Sequence, residues 1–242
     1  YRWSEELIAK YVGHRRDEFI FATKCGSGRV LQPDGEWVQT LDYSAKAIAP
    51  QIDRSLQRLK TDHIDIIQLH SPPYDDVAFG DGLEGLREAQ AQGKVRFISI
   101  SADGDAARKA IEIGDYDTLQ ITYNVLDQDP GGILLAAREQ DMGLIIKQPI
   151  ANAVFEQSSE DNPSAALAER ARSLLSPEVI GEIPQVEAAL RWLLNDDNVH
   201  TAIVGTTNLA HLEANVAAVE RGPLSDEVVE EIGRRWMVHG GQ

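Results

Sequence analysis

Residues 48–70 read IAPQIDRSLQRLKTDHIDIIQLH, and the spacing of their apolar side chains changes halfway along. Ile48, Ile52, Leu56 and Leu59 recur at i, i+4, i+8 and i+11, which places them on one face of a helix. From Ile64 to Leu69 that period gives way to a short apolar run, the form of a strand covered on both faces. Pro50 marks either a kink or a late start of the helix. A helix that feeds a doubly covered strand is the unit from which parallel sheets are built.

The same alternation extends outward from this segment. Strands are expected at 19–23, 64–69, 95–101, 118–123, 143–148 and 201–205, six in all. Helical patterns lie between and after them at 83–92, 106–113, 132–139, 185–194, 209–219 and 225–235. At the start, Ser4 reads as an N-cap, followed by Leu7, Ile8, Tyr11 and Val12 on one apolar helix face. Two architectures accommodate buried parallel strands joined by helices: an open doubly wound sheet and a closed barrel. The open dinucleotide-binding sheet calls for G-x-G-x-x-G between its first strand and first helix. Here only Gly26 and Gly28 follow a strand, and Arg29 to Pro33 behind them cannot open a helix cleanly. The reading is therefore a parallel (β/α)8 barrel, incomplete, with about six of the eight βα units present. It is expected to form a single domain over residues 1–242 that lacks its N-terminal strands. Two long segments, 25–43 and 151–184, read as loops, the second holding a short helix at 164–175.

Composition narrows the function classes. With 43% apolar and 26% charged residues the chain can bury a sizeable core. No stretch approaches the ~18 consecutive apolar residues of a membrane span, and the start lacks the layout of a secretory leader. Cys25 is the one cysteine, which excludes an intrachain disulfide and fits a reducing compartment, so a cytoplasmic location is expected. The net charge of −16 argues against a nucleic-acid partner. A small phosphorylated ligand remains compatible, because it senses local donors and helix ends. No His, Cys or Asp grouping has metal-ligand spacing, and no G-x-S-x-G elbow is present.

In a barrel the chemistry sits at the C-terminal ends of the strands. Those ends carry Lys24, His70, Ser99 with Ser101, Gln120 with Asn124, and Lys147 with Gln148. A lysine ending an apolar strand is costly to bury without a partner, so Lys24 and Lys147 are either functional groups or paired structural ones. Cys25 either lines the mouth of the site or is a buried inert thiol. Trp3 and Trp37 are candidates to frame an apolar pocket, whereas Trp192 and Trp236 read as helix-packing residues.

Several segments together resemble one family. Tyr1-Arg2-Trp3-Ser4-Glu5 is similar to the Y-G-x-S-E segment of the aldo-keto reductases, and Phe19 to Lys24 to their strand ending in A-T-K. Ser55 to His70 resembles their S-L-x-R-L-x-T-D-y-I-D-l-y-x-x-H signature. Gly93-Lys94-Val95-Arg96, Gln120 and the segment from Gly205 to Asn215 follow in the family's order.

The resemblance implies hydride transfer between a nicotinamide cofactor and the carbonyl or alcohol of a small substrate. It implies that Tyr1 is the general acid, that Lys24 lowers its pKa and that His70 orients the carbonyl oxygen. The family's aspartate partner of the lysine is expected upstream of Tyr1. On the cofactor side, Ser101 and Gln120 match the positions that hold the nicotinamide carboxamide. Lys147 stands where many members stack an aromatic ring. Gln148 and Ile150 match the pyrophosphate loop, and Gly205, Thr207, His211 and Asn215 match positions around the adenosine. Ala102 replaces the family's asparagine after the serine, Ser99 its glycine two before, and Gly205 and His211 its phosphate-clamping lysine and arginine. NADP(H) is the expected cofactor, with NAD(H) as the alternative. Two other readings stand beside this one: a cofactor-binding barrel serving as a regulatory or assembly subunit without turnover, and a Schiff-base lyase using Lys24 or Lys147.

Overall fold

The computed structural model describes residues 2–128, 132–156 and 165–238, apart from the side chains of residues 2, 30, 31, 155 and 156. In chain order the elements begin with α1 (Arg2–Tyr11), β1 (Ala22–Cys25), β2 (Ser27–Leu31), β3 (Trp37–Leu41), α2 (Ala45–Leu59) and β4 (Ile64–His70). There follow α3 (Tyr74–Phe79), α4 (Gly82–Ala91), β5 (Val95–Ser101), α5 (Gly104–Ile113), β6 (Thr118–Thr122), α6 (Ile133–Glu139) and β7 (Gly143–Lys147). The remainder is α7 (Ala165–Leu174), α8 (Pro177–Ile180), α9 (Gln185–Leu193), β8 (Thr201–Ala202), α10 (Leu209–Glu220) and α11 (Asp226–Val238). The strand and helix order is that of a β/α barrel, the one of the two expected architectures that the absent glycine motif had favoured.

These elements group into two compact units, Tyr1–Gln120 with Glu139–Gly143, and Ile121–Arg138 with Leu144–Gln242. The sequence, read as one domain, carries no linker at this division. In the first unit, β1, β4, β5 and β6 form a parallel ladder in that order. In the second, β7 and β8 pair in parallel, Ile145 opposite Thr201 and Ile146 opposite Ala202.

The deciding segment folds as its spacing implied. Helix α2 runs through Pro50 without stopping, buries Ile48, Ile52, Ser55 and Leu59, and ends at Lys60 in a left-handed conformation (φ 55°). Ser55 takes the buried place expected of Leu56, because its hydroxyl accepts from Arg58 Nη2 at 3.2 Å. Helix α4 lies against α2 at Gly85, where a Cβ would stand 2.8 Å from the Cα of Ala45, so only glycine permits the approach.

Three local expectations are corrected. The first strand is Ala22–Cys25 rather than 19–23, because Asp65 and Arg16 already engage the backbone before it: the Phe21 amide donates to Asp65 Oδ2 at 2.8 Å and Arg16 donates to the Phe19 carbonyl at 3.1 Å. Ser4 is not an N-cap, since α1 begins at Arg2. The expected loop 25–43 holds the antiparallel hairpin β2–β3, with Ser27 opposite Leu41 and Leu31 opposite Trp37. Trp3 and Trp37 are 74% and 50% exposed, so neither walls a buried pocket within its unit.

At the N-terminal end of β4, Asp65 gathers an ionic cluster. It accepts from Arg16 Nη2 at 2.6 Å and Arg96 Nη1 at 2.9 Å, and only 3% of the residue is exposed. Burial alone would push its carboxyl up, but the Phe21 amide and the two guanidinium groups outweigh that and hold it below the usual range. In the second unit, the Tyr123 and Trp192 rings pack with centres 4.9 Å apart and planes tilted by 45°, and Trp236 donates to the Leu126 carbonyl at 2.9 Å, as packing residues do.

Candidate active site

Register places the candidate side chains of the first unit. In a parallel ladder, residues paired across neighbouring strands project to the same face. One row is Lys24, Gln68, Ser99 and Thr118, and the next row toward the strand C-termini is His70, Ser101 and Gln120. Lys24 reaches up one row: its Nζ donates to Gln120 Oε1 at 3.3 Å. Gln120 Nε2 in turn donates to Ser101 Oγ at 3.1 Å. Gln120 is 5% exposed and Ser101 1%, so these bonds repay polar groups that would otherwise be buried at a cost. The row below closes on itself at one end, where Thr118 Oγ1 donates to Ser99 Oγ at 2.6 Å and Ser99 Oγ to the Thr118 carbonyl at 2.9 Å. At the centre of that row Gln68 is 1% exposed, and neither its amide oxygen nor its amide nitrogen meets a hydrogen-bond partner among the described residues.

The backbone of His70 is tied down from outside. Its carbonyl accepts from the Tyr43 hydroxyl at 2.6 Å, and the same hydroxyl stands 3.2 Å from the Ser71 carbonyl. Tyr43 is buried, and burial above all, with the nearby charge of Asp76, pushes its phenol up to about 12. A phenol whose one hydrogen is held by the His70 carbonyl and that titrates so high is not a proton donor for neutral-pH chemistry. It is seated by Gly26 (φ +86°), which the Tyr43 ring approaches so closely that a Cβ there would overlap it. Cys25 is 1% exposed, and burial raises its thiol well above the ordinary range, so it is the inert alternative of the two that were open.

Tyr1 lies outside the described residues. The helix that follows it starts at Arg2 and carries Glu5, which was quoted in the matching segment but given no role. Glu5 is 2% exposed; Oε1 accepts from Thr23 Oγ1 at 2.8 Å and Oε2 from Arg58 Nε at 2.6 Å. Glu5, Thr23 and Arg58 come from the three quoted segments Tyr1–Glu5, Phe19–Lys24 and Ser55–His70, each beside a residue that had been singled out. An acidic residue flanked by the apolar positions of a helix was the available signal.

The second unit holds the other cofactor candidates. Lys147 ends β7, and Gln148 follows in a left-handed conformation (φ 55°), exposed, with Ile150 half-buried behind it. Ala151, Asn152 and Ala153 continue with positive φ, so the segment turns tightly. Asn124 Nδ2 donates to the Gln148 carbonyl at 3.1 Å, while its Oδ1 accepts from the amides of Leu126 and Asp127 at 2.9 and 3.2 Å. A cavity of about 370 Å³ opens beside this turn, lined among others by Asn124, Gln148, Asn152, Arg170 and Trp236. Gly205, Thr207 and His211 are exposed and Asn215 half-buried around the start of α10. There Asn208 caps the helix, its Oδ1 accepting from the Ala210 amide at 3.0 Å. Thus the fold joins Lys24, Gln120 and Ser101 by hydrogen bonds with His70 beside them, and gathers the remaining cofactor candidates in the second unit.

A family model described as the aldo/keto reductase family matches residues 1–236. The chain is 24% identical over 242 residues to the uncharacterized oxidoreductase YqkF of Bacillus subtilis (strain 168), covering 95% of this chain and 78% of that protein. It is 25% identical over 232 residues to the NADH-specific methylglyoxal reductase of Escherichia coli (strain K12), covering 84% of this chain and 70% of that one. Among solved structures, the aldo-keto reductase AKR11C1 from Bacillus halodurans in its holo form superposes with a TM-score of 0.84 at 27% identity, over 96% of this chain and 77% of that one.

Proposed function

Because this chain belongs to the aldo/keto reductase family, we propose that it is an oxidoreductase acting on a small carbonyl or alcohol substrate, with Tyr1 as general acid. The observation that carries this reading is the hydrogen-bonded line from Lys24 on β1 through buried Gln120 on β6 to buried Ser101 on β5. Bound nicotinamide, NADP(H) in the first instance and NAD(H) as the alternative, supplies or takes up the hydride.

The donor set fits that group. A carboxamide offers one acceptor and two donor hydrogens. Ser101 Oγ accepts from Gln120, and its own O–H is left to donate among the described residues. Ser101 and Gln120 would hold the carboxamide, and the aliphatic stem of Lys147 would pack on the ring. Gln148 and Ile150 would cover the pyrophosphate, with Gly205, Thr207, His211 and Asn215 at the adenosine end.

This chain's residues handle the proton. A carbonyl oxygen that gains negative charge must be quenched as the charge develops. The Tyr1 phenol has an ordinary pKa of about 10 and becomes a competent donor near neutrality when an ammonium stands close by. Lys24 provides that ammonium, and His70 orients the carbonyl oxygen. Small carbonyl substrates are favoured by relatives named for methylglyoxal and L-glyceraldehyde 3-phosphate. The charge of −16 supports a partner that is not a nucleic acid, and the single cysteine supports a cytoplasmic setting; among the described residues no helix is long and apolar enough to cross a membrane.

The test is Tyr1→Phe. Nicotinamide fluorescence should still respond on binding, while turnover of short aldehydes falls by roughly a hundredfold or more. Normal turnover in that variant refutes the assignment.

A further inference from the structure

We propose that Gln68 is a positioning residue for Lys24, its buried amide oxygen anchoring the ammonium from the neighbouring strand through one internal water; this rests on the functional reading above, in which that ammonium tunes the proton donor. Gln68 and Lys24 are register partners on β4 and β1, and Ser99 on β5 is the partner of Gln68 on its other side. Neighbouring strands lie about 4.8 Å apart, so the side chains of one row stand next to each other. Gln68 is 1% exposed, and neither atom of its amide meets a hydrogen-bond partner among the described residues. A methionine would fill the same place without a buried donor and acceptor that need compensation, so an amide here calls for a polar partner.

The neighbours in the row decide which donor the amide oxygen can take. Ser99 commits its one hydrogen to the Thr118 carbonyl at 2.9 Å and accepts from Thr118 Oγ1 at 2.6 Å, which leaves it a lone pair and nothing to donate. On the other side stands Lys24, whose ammonium carries three donor hydrogens. One of them reaches Gln120 Oε1 at 3.3 Å, longer than the roughly 2.7–2.9 Å usual for a charged donor. An ammonium held at that length from the row above gains direction from a second acceptor in its own row. A water that accepts from Lys24 Nζ and donates to Gln68 Oε1, with its second hydrogen toward the lone pair of Ser99, makes the three bonds typical of a buried water. Other ionisable groups of the ladder are turned away from this spot or lie above it. Asp65, three residues back on β4, projects to the opposite face and is engaged by Arg16 and Arg96. Cys25 follows Lys24 onto the opposite face, and His70 lies one row up.

The experiment reads Lys24 itself, in the full chain without cofactor or substrate. Lysine Cε is labelled with carbon-13, the Lys24 signal is assigned by its loss in Lys24→Met, and its shift is followed with pH. Gln68→Met removes the amide at nearly constant volume. Because an acceptor bonded to the ammonium favours its charged form, the Lys24 titration should fall by about half a unit or more in this variant. Gly85→Ala serves as the structural control, losing thermal stability with no movement of the Lys24 signal. A Lys24 titration that Gln68→Met leaves in place overturns the anchor, and a variant that also melts higher than wild type would show that the amide met nothing. A crystal structure of the wild-type chain needs no variant: an ordered water within about 3.2 Å of both Lys24 Nζ and Gln68 Oε1 is expected, and finding none overturns the water-mediated anchor. Neither measurement involves turnover, so a failure here leaves the reductase reading to its own test in Tyr1→Phe, and the two can fail separately.

Discussion

The ammonium of Lys24 donates to the carboxamide oxygen of Gln120 at 3.3 Å, across two intervening strands of the ladder. One residue was expected to serve the proton and the other the cofactor. Their bond makes the two functions share a side chain, since Gln120 also donates to Ser101 at 3.1 Å.

Gln120→Leu should therefore damage both functions at once. It removes an acceptor from Lys24 and a donor from Ser101, groups whose loss of a partner costs about 1–3 kcal/mol. Cofactor affinity, read by fluorescence titration, should weaken by roughly tenfold or more. A Kd within twofold of wild type would remove Gln120 from the cofactor site.

Lys24→Met keeps most of the unbranched side chain and deletes the charge. Turnover should fall by roughly two to four orders of magnitude with cofactor binding largely retained, as expected for a group that acts on the proton donor. A loss confined to KM would make Lys24 a substrate-binding residue instead.

Asp65→Asn should cost about 2–3 kcal/mol, because Arg16 and Arg96 lose a buried counter-charge. The Asp65 carboxyl is held below its unfolded value, so its contribution is complete above about pH 3.9 and is lost as pH falls through the lower folded value. The difference in Tm between wild type and variant should be full at pH 7 and should shrink under acid conditions. A difference that grows on acidification would contradict the sign.

Gly26 and Gly35 have nearly the same positive φ, +86° and +88°, but of the two only Gly26 faces a neighbour, the Tyr43 ring. Gly35→Ala should cost about 1 kcal/mol from backbone strain alone. Gly26→Ala should cost at least about 1–2 kcal/mol more and disturb the Tyr43 bond to the His70 carbonyl. Equal losses in thermal unfolding would mean that Tyr43 gives way freely.

Cys25 should resist thiol reagents in the native protein and react at once in denaturant. It is 1% exposed, and burial disfavours its thiolate. Rapid modification of the native chain would place it at an open mouth.

Strands and helices whose apolar residues follow a regular period were legible in the sequence, because burial imposes that period: Ile48, Ile52 and Leu59 on α2, and Ile64, Ile67 and Leu69 on β4, are all buried. The hairpin β2–β3 was not legible. Every residue of β3 is exposed, so no buried face imposes an alternation, and the strand is specified by pairing with β2 alone. The boundary of β1 was misplaced for a related reason: Phe19 to Phe21 is apolar enough to read as strand, while their backbone is engaged by Arg16, three residues before Phe19, and by Asp65 from the distant β4.

The sequence by itself determined the β/α class and the polar residues at strand ends, since both follow from local spacing: the period of burial selects helix or strand, and the end of an apolar run marks where a side chain emerges. Only the tertiary structure decided which of those residues meet. The bond from Lys24 to Gln120 spans 96 positions and that from Glu5 to Arg58 spans 53. Such pairs are selected by strand order and register, which bring distant segments side by side and leave no trace in local composition.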